Sequence, residues 1–318
     1  MLIDVTAMSI LSAPYFHDEA AAIQHLESIL WPEGPVCPHC SSDKKIYALT
    51  GKTTRPGLRK CGQCRKQFTV KVGTVFESSH IPLYKWLQAT YLMASSKKGI
   101  SSHQLHRTLE VTYKTAWFMS HRIREAMRVL KMEPMGGEGK IVEADETYVG
   151  GLEKNKHKSK RRNAGRGAVG KEAVFSLVER GGKVRSQHVK HVTAETLRPI
   201  MLEQLHAETR LMTDEARQYG PLGKAFAEHG AVNHGIGEYV RGDIHTNTVE
   251  GYFSIFKRGM KGIYQHCGEQ HLKRYLCEFD FRYNERNVAD MERTSIALCG
   301  IVGKRLTYRD SFPQQGSA

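Results

Sequence analysis

Two sets of residues in this chain have types and spacings that chemistry can use. The first is CPHC at 37–40 and CGQC at 61–64, two C-x2-C pairs with twenty residues between them. Two thiolates three positions apart grip one side of a tetrahedral ion, and a second such turn closes the site. The spacing lies in the zinc-ribbon range, so Cys37, Cys40, Cys61 and Cys64 are expected to hold a structural Zn2+. Four ligands leave no open position for catalysis. A redox reading of C-x-x-C needs a βαβ context, which this stretch lacks. Cys267, Cys277 and Cys299 share no such spacing and read as ordinary half-buried residues.

The second set is acidic. In IVEADETYVGG, 141–151, a β-like run ends in Glu143, Asp145 and Glu146, inside a chain of formal net charge +14. A carboxylate driven into a protein interior needs a metal, a proton to move or an ion pair. Asp145 ends one strand-like run and Asp214 ends another, in TRLMTDEARQYG. Both strands can deliver a carboxylate to one edge of one sheet. Thirty-five residues separate Asp214 from Glu250, in GDIHTNTVEGYFSIFKRG, and Lys257 follows two helical turns later on the same face, with Ser254 between them. Val249, Phe253, Phe256 and Met260 form the apolar stripe that packs this helix. Converging carboxylates repel unless cations neutralise them. Hard oxygen donors suit Mg2+, and two such ions about 4 Å apart can activate a water or a 3′-hydroxyl on a phosphodiester. Plainer readings stand beside this one. Asp145 can pair with a buried Arg or Lys, and Asp214 can cap a helix starting near Ala216. Asn247 and Glu250 fit a capping box.

The elements that must position these residues follow from composition and periodicity. The length allows one large or two to three small domains, and a 40% hydrophobic content can build an ordinary core. A pI near 9.4 points to a polyanionic partner, double-stranded DNA first, with an anionic membrane surface as the lesser alternative. No apolar run is long enough to span a bilayer, and the first residues resemble neither signal peptide nor anchor. A cytoplasmic, nucleoid-associated protein is expected.

A helix is expected within 17–35. A cysteine module follows, with β-like pieces at Lys45–Ala48 and Gln67–Val72. Helices are expected over 82–130, where a short helix, a turn near Glu110–Thr112 and a longer helix resemble a helix-turn-helix. Its second helix would turn Tyr113, Lys114, Thr115, Trp117, His121, Arg122 and Arg124 toward a groove; a small all-α spacer with a basic face is the alternative. After the linker MEPMGGEG the pattern becomes α/β. Strands are expected at Ile141–Thr147, Ala173–Val178, Val184–Val189 and Arg210–Thr213. Helices are expected at Ala194–His206, at Ala216–Glu228, from about Thr246, and at Glu269–Asn284. KNKHKSKRRNAGR, 154–166, has no apolar face and reads both as a solvated loop and as a clamp on DNA backbone through Lys154, Lys156, Lys158, Lys160, Arg161 and Arg162.

EADETYVGG, TNTVEGYFSIFKRG and HLKRYLCEFDFRYNER, placed behind a zinc ribbon, resemble the DDE-type insertion-sequence transposases with an N-terminal zinc ribbon and an ISXO-like catalytic domain. The resemblance covers about residues 20–290. It implies a ribonuclease-H-like α/β catalytic domain, a mixed sheet with flanking helices, behind the ribbon and the helical segment. The implied divisions are 1–80, 81–135, 136–290 and a tail at 291–318. It implies Asp145, Asp214 and Glu250 as an acidic triad loaded with two Mg2+ or Mn2+ ions, with Lys257, and Arg258 beside it, near DNA phosphate. Family members are described with Asn or His in the third position, so Asn247 is a second candidate; Asp243 and His245 are more distant ones. The implied reaction is cleavage at the element's terminal repeats by metal-activated water, then attack of the 3′-hydroxyl on target DNA by a dimer or higher oligomer. Lys273, Arg274, Arg282 and Arg286 of the last helix would also hold backbone, although Leu272, Tyr275, Leu276, Phe279 and Tyr283 must bury one face. A regulator without catalysis and a ribonuclease-H-like nuclease or resolvase without joining are the rival readings.

Overall fold

A computed structural model describes residues 9–151, 157–161 and 169–308 of the chain. They form two compact units, 9–128 with 288–308 and the described residues between 129 and 287.

The first unit opens with helix α1 (Glu19–Leu30), whose N-terminus is capped by Asp18 accepting from the Ala21 amide at 2.8 Å. Three short antiparallel strands follow in the order β1-β2-β3: β1 (Ile46–Ala48), β2 (Arg59–Cys61) and β3 (Gln67–Phe68). Cys37, Cys61 and Phe68 are buried here, with Trp31 and Ile46 packed against them. That cluster is too small to hold a module of this size without a staple. Helices α2 (Leu83–Ser95), α3 (Ser102–Leu109) and α4 (Tyr113–Ala126) complete the N-terminal part. Ser101 caps α3 and Thr112 caps α4, and between them Glu110 takes the left-handed conformation at φ 51°.

The second unit is built on a five-stranded mixed sheet. Its strands are β4 (Ile141–Val149), β5 (Glu172–Glu179), β6 (Val184–Val189), β7 (Arg210–Thr213) and β8 (Glu228–Ala231), in spatial order β6-β5-β4-β7-β8. β6, β5 and β4 are antiparallel neighbours, and β4–β7 and β7–β8 are parallel. β5 is apolar nearly throughout, as a central strand covered on both faces must be. One face packs α5 (Ala194–Gln204) and α6 (Tyr219–Gly223) through Val142, Ala144, Phe175, Leu177, Leu197 and Leu211. The other packs α7 (Asn247–Gly259) and α8 (Glu269–Asn284) through Val174, Val178, Val249, Phe253, Phe256, Leu276 and Phe279. A small hairpin, β9 (Val240–Arg241) with β10 (Ile244–His245), precedes α7.

The chain then returns to the first unit. Residues 290–299, expected as part of a tail, form helix α9 (Asp290–Cys299), which packs against α2. Its Arg293, with guanidinium bonds to Ala94 and Val288 carbonyls, is an anchor that a tail would not need. A second expectation also fails. The segment 216–228 is not one helix: only Tyr219–Gly223 is helical, and Glu228 already begins β8. From Glu228 the chain instead extends the sheet, paired in parallel with β7. No helix among the described residues is long and apolar enough to cross a membrane.

Candidate active site

β4 pairs with β7 only from Ile141 to Glu143. Beyond that register the two parallel strands part, and the crevice opens at their carboxyl ends, where open α/β sheets place ligands. Asp145 and Glu146 come from β4 and Asp214 follows β7 directly. Glu250, Phe253, Ser254 and Lys257 project from α7, and His234 from the loop after β8. Together these residues line a cleft of about 460 Å³.

The period of β4 explains how one strand serves three purposes. Even-numbered Val142 and Ala144 enter the core under α5. Glu146, on that same side, accepts from the Tyr219 hydroxyl at 2.6 Å and from Gln218 Nε2 at 3.0 Å. Odd-numbered Glu143 and Asp145 face α7. Glu143 is fully buried, and its carboxylate accepts from the Thr248 and Val249 amides at 2.7 and 2.9 Å and from Thr248 Oγ1 at 2.8 Å. Arg180 Nε donates to the same carboxylate at 2.6 Å. Glu143 therefore caps α7 across 105 residues of sequence and complements the positive end of its dipole. The helix begins one residue earlier than a cap at Asn247 requires: Thr246 is the N-cap, and its hydroxyl donates to Glu250 Oε1 at 3.0 Å.

The cleft is electrostatically costly as it stands. Burial pushes the Asp145 carboxyl up to about 8, and the nearby charges of Glu146, Asp214 and Glu250 push the same way, against a bond from the Glu146 amide. Burial likewise raises Glu146 and Asp214. Asp214 Oδ1 accepts from the Ala216 amide at 3.0 Å, so it does make the local turn that the plainer reading foresees while also lining the cleft. Glu250 has one cationic neighbour candidate, His234, whose Nε2 lies 3.6 Å from Oε1. A dense set of hard oxygen donors that raise one another's proton affinity suits divalent cations of the magnesium kind. These oxygens are not drawn into one tight knot. Among the described residues, the sets whose ligand atoms all lie within 4.8 Å are the four ribbon cysteines and Glu172, His188 and Glu269.

The cysteines form a second centre, in the other unit. Cys37 Sγ lies 3.6 Å from Cys64 Sγ, and Cys40 Sγ lies 3.7 Å from Cys61 Sγ. Zn–S bonds of 2.3 Å give a tetrahedron with edges of about 3.8 Å, whereas a disulfide would bring sulfurs to about 2.05 Å. The cysteines fit one structural zinc.

The remaining candidates divide. Lys257 lines the cleft, and Arg258 is exposed one position on, bonded to Ser254. Lys114 is exposed at the start of α4, its ammonium 4.6 Å from the Tyr308 ring centre. Arg122 and Arg124, expected on a DNA-facing surface, are buried. Arg122 donates to the Leu306 and Glu77 carbonyls, and Arg124 to Ser120 Oγ, so both hold the first unit together. His121 is buried with them. Arg274 and Arg282 are buried as well, Arg282 against Glu278, which leaves Lys273 as the exposed cation of α8. Asn247 and Asp243 are exposed and His245 is half-buried; all three lie outside the cleft lining, and Asp243 and His245 are tied to Arg180. Lys158–Lys160 form a 3-10 turn, and Lys158 and Arg161 are exposed. Lys154, Lys156 and Arg162 lie outside the described residues. Sequence reasoning missed His234 and the capping role of Glu143. His234 sits in an unpatterned loop, and nothing local pairs Glu143 with Thr248.

Residues 17–67 match the transposase zinc-ribbon domain, and residues 136–284 match the ISXO2-like transposase domain. Over 278 residues the chain is 32% identical to an uncharacterised protein in transposable element ISH50 of Halobacterium salinarum, covering 84% of this chain and 91% of that protein.

Proposed function

The chain belongs to the insertion-sequence transposases that carry a zinc ribbon and an ISXO2-like transposase domain, and we propose that it cuts the DNA ends of its own element and joins them to target DNA at the Asp145–Asp214–Glu250 cleft. The observation that carries this reading is the convergence of three acids from β4, β7 and α7 on one crevice, with Lys257 on the same wall. The sheet order, three antiparallel strands followed by two parallel ones, supports a ribonuclease-H-like domain.

Asp145, Asp214 and Glu250 would hold two Mg2+ or Mn2+ ions. The bound metal supplies an activated water or 3′-hydroxyl and stabilises the leaving oxygen. The chain's own residues do the rest. Tyr219 and Gln218 fix Glu146 at the cleft wall. Glu143 fixes the start of α7 and so the direction from which Glu250 and Lys257 enter. Lys257 offers a cation to a phosphate. No covalent protein–DNA intermediate is required, so no nucleophilic Ser or Tyr is needed. Glu250 is the third acid in this reading because it lines the cleft and Asn247 does not. The ribbon, Lys114 and the loop from Lys154 to Arg162 would hold double-stranded DNA, and cutting two ends calls for at least a dimer.

The test is strand cleavage and joining on DNA carrying the element's own ends, with Mg2+, comparing the wild type with Asp145→Asn. Cut and joined products from the wild type alone support a transposase. Cut products that are never joined indicate a nuclease. Binding with no cleavage in either metal indicates a regulator.

A further inference from the structure

The loop between β8 and β9 carries an apolar crest beside the acid cleft that nothing in the cleavage chemistry uses. Ile236, Tyr239 and Val240 are 79%, 59% and 52% exposed, and Ile236 is the most exposed large apolar side chain among the described residues. The crest is built firmly. Glu215 accepts from the His234 and Gly235 amides, each at 3.0 Å. Asn233 and Glu238 bond each other twice, amide to carboxylate at 3.1 Å and amide to carbonyl at 3.0 Å. It is also continuous with the cleft. The Tyr239 ring lies 4.9 Å from the ring of His234, which lines the cleft within 3.6 Å of Glu250.

Resting on the transposase reading, we propose that this crest takes an unpaired nucleobase of the DNA end held in the cleft, with the Tyr239 ring as the stacking face. Three lines favour a base over other occupants. A phosphate backbone gains nothing from Ile, Tyr and Val, whereas every base offers an apolar π-face to an aromatic ring. A contact between copies of the chain needs about 800 Å² on each side, far more than three side chains supply. The crest adjoins the cleft in which the proposed function already seats a DNA end, so a base of that end is the occupant within reach. Apolar wedges that unstack base steps are an established way for proteins to hold deformed DNA.

The test is binding in Ca2+ in place of Mg2+, with the probes checked to be uncut at the end. The probes are a fully paired duplex and one of equal length with three unpaired nucleotides at one end. Tyr239→Ala and Ile236→Ser are compared with the wild type and with Tyr239→Phe. The forked duplex is expected to lose about tenfold to a hundredfold of affinity in Tyr239→Ala. Tyr239→Phe should keep it, and affinity for the paired duplex should stay within about twofold. Equal loss on both probes, or no loss on either, overturns the proposal. So does a change of oligomeric state with both affinities intact, which would make the crest a contact between copies. Should the wild type bind neither probe, the DNA reading fails together with the crest; should it bind both while the variants match it, the crest alone fails.

Discussion

Asp145 is the residue on which the site's energetics turn. Its carboxyl titrates near 8 in the folded chain against an ordinary value of 3.8, because it is buried among other carboxylates. Between those values the folded state keeps a proton that the unfolded state has released. Stability of the metal-free protein therefore falls as pH rises from about 4 to about 8. Asp145→Asn removes the Asp145 share of that dependence, while Glu146 and Asp214, also raised by burial, keep theirs. In EDTA at pH 8 this variant is expected to melt above the wild type by at least about 2–4 °C, the effect of about 1 kcal/mol in a domain of this size. The gap should close below about pH 4. Thermal melts at several pH values check it, and a variant that melts lower at pH 8 would contradict the burial argument. Residue types alone made Asp145 legible, since a carboxylate closing an apolar run inside a basic chain asks for a cation. They made Arg122 and Arg124 misleading, because cations on a helix beside a turn look solvent-facing until residues such as Glu77 and Leu306 pack over them.

At the scale of elements, the join between β4 and α7 carries the argument. Glu143 holds two amides, a hydroxyl and the Arg180 guanidinium with a single buried carboxylate. Glu143→Ala takes the carboxylate from Arg180, which keeps its bonds to Asp243 and His245, and leaves the first turn of α7 uncapped; it is expected to cost about 3–5 kcal/mol in denaturant unfolding. A loss under about 1 kcal/mol would mean the helix is held by its apolar stripe alone. The ribbon is the other element with a stated dependence. The purified chain should carry one zinc per chain by elemental analysis, and Cys61→Ser should lose it and unfold the 36–75 module, seen as protease sensitivity confined there. The strands at 141, 173, 184 and 210 and the helix after Thr246 were readable because each carries its own period. The break of 216–228 into a short helix and β8 was not, since the strand exists only through its pairing with β7. Glu143's role was hidden for the same reason: its partners lie 105 residues away.

For the whole molecule, the proposed function divides the work: net charge would set how DNA is held, and the acid cleft would set what is done to it. If the loop clamps backbone, replacing Lys154, Lys156, Lys158, Lys160, Arg161 and Arg162 together should lower the slope of log affinity against log salt by up to about 5. An unchanged slope would assign the loop to solvent. The central claim is that Asp145, Asp214 and Glu250 together make the phosphodiester chemistry possible. Single-turnover cleavage of the element's end in Mg2+ tests it most directly, across the wild type, Asp145→Asn, Asp214→Asn, Glu250→Gln and Asn247→Ala. The account predicts that each of the three acid substitutions lowers the rate at least about a thousandfold, or about 4 kcal/mol of transition-state stabilisation. DNA affinity should be retained in all of them, and Asn247→Ala should stay within about tenfold of the wild type. Cleavage that survives Glu250→Gln and is lost in Asn247→Ala would contradict it.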